Sequence, residues 1–250
     1  MVMDAPIAMS MDLNTATTTH MTINMDEAAL YRLITWLSPG FPVGAYAYSH
    51  GLEWAVEDGA VRDRDALGLW LEDVLQHGGG RSDAILFHHA WTAARNGDRA
   101  ELTDINDLAI ALAPSRERRL EFVDQGRAFL IAIKSTWPWD GAPDISVFEG
   151  KTIAYPIAVA MATAGHAIDL RPALGAYLHG FTANLVSAGV RLIPLGQTEG
   201  QQLIAHLEPV IHSVTQDALT ATLDDLGGAA FLADIASMRH ETQYTRLFRT

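Results

Sequence analysis

The stretch from Leu170 to Leu185 constrains this chain most. Leu170, Leu174, Tyr177, Leu178, Phe181 and Leu185 recur at the three- and four-residue spacing of one helical face. Related patterns return along the chain, and strand-like alternation appears nowhere over a useful length. The expectation is therefore all-α: a single helical domain of about ten helices. At 250 residues, with 49% hydrophobic and 19% charged side chains, the chain has the material for a large core.

Residues 26–37 carry Leu30, Leu33, Ile34 and Leu37 on one helical face, with Asp26 as N-cap. Asp63 caps a segment bearing Leu67, Trp70, Leu71 and Val74, which ends at the triple glycine 78–80. Helical segments at 82–95 and 98–112 come next, and Pro114-Ser115 opens a longer helix with Phe122, Gly126, Phe129, Leu130 and Ile133 inward. Gly126 costs about 1 kcal/mol against Ala inside a helix, so a close packing contact is expected there. Pro156 suits a first helical turn. Thr198 with Gln201 reads as a capping box opening a helix, and two further helices come after it, the last with Phe231, Leu232 and Ile235. Residues 1–25 hold six of the eight methionines without any period and read as a flexible N-terminal tail. Residues 26–238 form the expected domain, and 239–250 a separate C-terminal tail carrying Arg239, Arg246 and Arg249 with Tyr244, Leu247 and Phe248.

Ser38–Trp54 is the unusual connection, with two prolines, three glycines and four aromatics where a short polar link is usual. From Ala45 onward a helix is expected, carrying Tyr48, Ser49, His50 and Glu53 around its first turns. His50 and Glu53, three apart, could share a face as a hydrogen-bonded pair, an acid–base pair or two metal ligands.

Charge and composition exclude several classes. A net charge of -13 argues against nucleic acid and anionic membranes as partners, and the absence of cysteine removes thiolate chemistry. The N-terminus lacks the charged start of a secretory signal, and 157–164 is too short to span a bilayer, so a cytoplasmic protein is expected. Gly150-Lys151-Thr152 resembles the end of a phosphate loop, but the glycine that motif needs is Ile145. Adjacent His88 and His89 cannot share one ion on a helix, and are read as one core-facing and one solvated. His206 and His212, six apart across Pro209, share no face. No catalytic, cofactor-binding or metal-binding residue is assigned.

Five blocks, in order, carry a family resemblance: FPVGAYAYSHGLEWAVEDGAV (41–61), PSRERRLEFVDQGRAFL (114–130), YPIAVA (155–160), ANLVSAGVRLIPLGQTEGQQLI (183–204) and HETQYTRLFRT (240–250). From about residue 27 onward the chain resembles the urease accessory protein family UreF. That resemblance implies a non-enzymatic, homodimeric, all-α scaffold that bridges UreD (UreH in some organisms) and the GTPase UreG, for GTP-dependent nickel insertion into apo-urease. The nickel is handled by the complex, with no cofactor assigned to this chain. It also implies partner-binding residues: Tyr48, Ser49, His50, Gly51 and Glu53, the turn Pro194, Leu195, Gly196 and Gln197, and the tail Arg246, Leu247, Phe248 and Arg249. The dimer contact is placed on the periodic helix Leu170–Ser187. The alternative function is activation or checkpoint control of the GTPase, with Arg116, Arg118 and Arg119 as an exposed cluster.

Overall fold

The computed structural model describes residues 26–141 and 144–250; the expected N-terminal tail lies outside them. Among the described residues there are ten α-helices and no strand: α1 (Glu27–Trp36), α2 (Leu52–Glu57), α3 (Arg64–His77), α4 (Gly79–Asn96), α5 (Arg99–Ala111), α6 (Arg116–Thr136), α7 (Tyr155–Gly165), α8 (Leu170–Leu192), α9 (Gln197–Ala218) and α10 (Phe231–His240). None of these helices is long and apolar enough to cross a membrane.

The centre is α7, YPIAVAMATAG, buried continuously from Pro156 to Ala164. A helix apolar on every face must be enclosed by others, and α4, α6 and α8 surround it. Its entry is pinned by Asn106, whose amide group donates to the Thr152 carbonyl (3.2 Å) and accepts from the Ala154 N–H (2.9 Å). Gly126 explains itself here: a Cβ at that position would lie 2.2 Å from the Ile153 carbonyl oxygen, so α6 lies directly against the backbone leading into α7.

The expected cap at Asp63 forms, accepting from the Ala66 N–H, and where Pro114-Ser115 is expected to open a helix the Ser115 hydroxyl caps it, accepting from the Arg118 N–H. Asp26 precedes α1, but its side chain makes no cap bond. Three helix boundaries differ from expectation. Ala45–Ala47 is a single 3-10 turn, and the chain leaves helical geometry before α2 begins at Leu52. Helix α9 starts one residue before Thr198, where the Glu199 carboxylate accepts from the Gly196 N–H (2.8 Å). It then runs unbroken through Pro209, so only one further α-helix comes after it. Pro209 and Ala205 lie on the exposed side, where water reaches the carbonyl the proline leaves unpaired.

The burial of apolar stripes separates core from surface. Leu174, Tyr177, Leu178 and Leu185 of α8 are buried, as their period requires. In α1 the core takes Ala29, Leu33 and Trp36, while Leu30 and Ile34 are 45% and 64% exposed. In α10 Phe231, Leu232, Ile235 and Met238 all face outward.

Gly126→Ala should destabilise the fold by ~1–3 kcal/mol, the range of an overpacked core site. A urea-unfolding midpoint equal to that of the unsubstituted protein would refute the close approach.

Candidate functional site

The corner between α1 and α2 is built from backbone conformations that few residues adopt. Gly44 (φ 73°) turns the chain into the 3-10 segment, and His50 (φ 56°) and Gly51 (φ 77°) are consecutive left-handed residues that start α2. His50 is the strained member, since a side chain disfavours this region. Gly51 is required twice over, because a Cβ there would lie 2.5 Å from the Ser237 backbone nitrogen. Helix α10 therefore rests on the corner itself, an approach reinforced by the hydroxyl pair Ser115–Ser237 at 2.6 Å.

This seating directs the segment after α10 back across the corner. The Arg249 N–H donates to the Ala47 carbonyl (2.8 Å), and the Ser49 N–H donates to the main-chain oxygen of Thr250 (2.8 Å). The Ser49 hydroxyl donates to that same oxygen. Glu53 clamps the middle of the segment: its carboxylate accepts from the backbone N–H groups of Leu247 (2.6 Å) and Phe248 (2.8 Å). Phe248 is buried, with the Arg191 guanidinium 4.3 Å from its ring centroid.

Beneath the tail lies a network of carboxylates and bases. His240, fully buried, sits between Glu117 (2.7 Å from Nδ1) and Glu53 (3.1 Å from Nε2). Arg246 reaches Glu117 from above at 2.7 Å. One turn along α6, Glu121 collects Arg118 (2.6 Å), His50 (2.5 Å), Gln125 (2.9 Å) and the Thr250 hydroxyl (3.1 Å). Burial alone would raise the Glu121 carboxyl, but the Arg118 charge and His50 overrule it and hold it at about 2. Burial and the Arg118 charge push His50 the other way, below its ordinary value, so it serves as a neutral N–H donor to Glu121. The Tyr48 phenol is raised, first by burial and then by Asp124, while its hydrogen bond with Arg249 opposes the shift.

His50 and Glu53 are therefore not a pair: one serves α6 and the other the tail. Tyr48, Ser49, Gly51 and Glu53 are buried within this chain, whereas Pro194, Gly196 and Gln197 lie exposed a few residues beyond Arg191. Leu195 is half-buried. Of the tail residues, Arg246, Leu247 and Arg249 are exposed and Phe248 is not. Arg118 is likewise removed from the expected exposed cluster, leaving Arg116 and Arg119 outside. His88 and His89 are both half-buried, bonded to the Ala218 (2.9 Å) and Ala221 (3.0 Å) carbonyls at the end of α9. Among the described residues no group of three or more His, Asp or Glu is arranged to hold a metal ion. Glu117, Glu121, Arg191 and His240 carry much of the site, and sequence reasoning does not single them out. The available signal is the spacing of Glu117 and Glu121, four apart on one face of α6.

Comparison with known proteins decides the family. The UreF family profile matches residues 61–208. The chain belongs to the UreF family. It is 52% identical to a urease accessory protein UreF of Rhodopseudomonas palustris over 224 residues, covering 90% of this chain and 93% of that one. The protein of the same name in Xanthobacter autotrophicus is 52% identical over 222 residues (89% and 91% covered). That of Bradyrhizobium diazoefficiens is 48% identical over 225 (90% and 93%). In this UreF-family chain the histidine-bearing corner and the arginine-bearing tail, far apart in sequence, form one unit.

Glu53→Gln leaves one oxygen to serve two backbone donors and His240. Hydrogen exchange at Leu247 and Phe248 should quicken about 10- to 100-fold, a loss of ~1–3 kcal/mol of local stability, while exchange in α7 stays unchanged. Equal protection of the two amides in both proteins would refute the clamp.

Proposed function

We propose that this protein is a non-enzymatic urease maturation factor acting in the cytoplasm. In this reading it bridges UreD/UreH and the GTPase UreG during GTP-dependent nickel insertion into apo-urease. One observation carries it: α10 turns Phe231, Leu232, Ile235 and Met238 outward, and the docked tail that follows it exposes Tyr244 and Leu247. Isolated exposed apolar residues are ordinary, but four on one short helix, followed by two more in a tail that also exposes Arg246 and Arg249, are the composition of a protein interface. UreD/UreH is assigned to this face. The buried signature residues then act from below, holding the tail in shape, while Arg246, Leu247 and Arg249 meet the partner.

Deleting Tyr244–Thr250 should weaken UreD/UreH capture at least tenfold while leaving the helical circular dichroism intact. Unchanged affinity of the folded truncation would refute the assignment. In reconstitution with apo-urease, nickel, GTP and the other accessory proteins, omitting the protein should abolish activation, and equal activation without it would overturn the maturation role itself.

The homodimer is assigned to the outer face of α8 together with α1. Most of the periodic side of α8 is occupied by the core, but Phe181 of that side is only half-buried, and with Ala183 it lines a cleft shared with Leu30, Ile34 and Tyr46 of the α1 region. Ile34→Asp should convert the dimer to a monomer in sedimentation velocity without loss of helix content. A dimer that persists would place the contact elsewhere.

A further inference from the structure

Between α1, the 37–46 connection and α8 runs a cleft of about 390 Å³, a volume suited to a small ligand. Its walls are apolar, with Leu33, Ile34, Val43 and Phe181 among them, but its floor is not. At the bottom lies Asp83 of α4, 1% exposed. One carboxylate oxygen accepts from the Tyr177 hydroxyl (2.7 Å); the other, Oδ1, is buried with no partner. A buried carboxylate oxygen without a donor is costly, and native proteins leave few of them. The charged groups bearing on Asp83 do not remedy this. Glu121 repels it, and Arg118, the one cation that favours it, is bonded to Glu121 instead. His50, also on the cleft wall, likewise donates to Glu121.

We propose that this cleft binds an organic cation, an ammonium or guanidinium group on an apolar stem, with the cationic N–H donating to Asp83 Oδ1. The apolar walls would cover the stem, and the charge-assisted bond would supply the missing donor. This goes beyond the maturation role, and its readout is independent of UreD/UreH capture; the cleft lies on the face assigned above to the homodimer.

The proton is the natural competitor. Burial raises the Asp83 carboxyl to about 7, with the Arg118 charge and the Tyr177 hydrogen bond opposing. A cation needs the ionised form, so binding should be full above pH 7 and weaken by about tenfold for each pH unit below it.

The test titrates the full chain calorimetrically with n-hexylammonium and with n-hexanol, its neutral counterpart. At pH 8 hexylammonium should bind at least tenfold more tightly, and that preference should fall about tenfold by pH 6. Asp83→Asn should abolish the preference at pH 8 while hexanol still binds. Equal affinity of the two probes at pH 8, failure of both to bind, or a preference independent of pH would each overturn the proposal, and the pH arms need no variant. Sedimentation velocity then identifies the source of the cation. Loss of mass on adding hexylammonium assigns it to an arginine or lysine of a bound chain, and an unchanged coefficient assigns it to a free amine.

Discussion

The carboxylate of Glu53 is the contact on which the union of the corner, α10 and the C-terminal tail depends. It is buried, and a buried carboxylate persists only where donors surround it. Here the donors come from two places far along the chain, the backbone of Leu247 and Phe248 and the imidazole of His240. Neither source is local to α2, so the helix-start acid is satisfied only once α10 and the tail have seated. The same logic extends to Glu117, which binds His240 and Arg246, and to Glu121, which binds Thr250. Each carboxylate ties the end of the chain to its first half. Loss of one donor leaves a buried charge exposed to the whole desolvation penalty.

That seating needs close backbone approach, and glycine supplies it. Gly51 admits α10 onto the corner, as Gly126 admits the entry to α7 against α6. The two sites have different consequences. At Gly126 the contact closes the core around an entirely apolar helix. At Gly51 it positions a polar network, and the strain at His50 (φ 56°) is held in place by its bond to Glu121.

Much of the architecture was legible beforehand because it is local. Most of the α8 stripe, the cap at Asp63, the helix start at Pro114-Ser115 and the misplaced glycine at 126 are each properties of a few neighbouring residues, and each took the expected role. Helical period alone does not say which apolar face meets the core. In α1 the face through Leu30 and Ile34 looked buried, yet Ala29, Leu33 and Trp36 pack inward, because Trp36 fills the space beside Phe129 and Trp137. The site was less legible still. The corner and the tail could be marked as unusual, but their union joins residues almost two hundred positions apart, and no spacing rule reaches that far. His50 and Glu53 looked like a pair for the same reason: the nearer explanation was visible, while Glu121 and His240 were not.

The union also changes what a partner can recognise. Were the corner a free docking surface, Tyr48, Ser49 and Glu53 would have to be reachable, but they are covered by the very segment whose shape they define. On the proposed function, a partner would therefore read the corner only through the tail. A helix end that frays would offer Tyr244, Leu247 and the α10 stripe as separate, mobile contacts, each ordered at its own entropic cost on binding. A tail already clamped by Glu53, with Phe248 held under Arg191, presents those side chains in one fixed arrangement. On the proposed function, Ser49 and Glu53 would act on recognition by preorganising the tail, and neither would need to touch the partner.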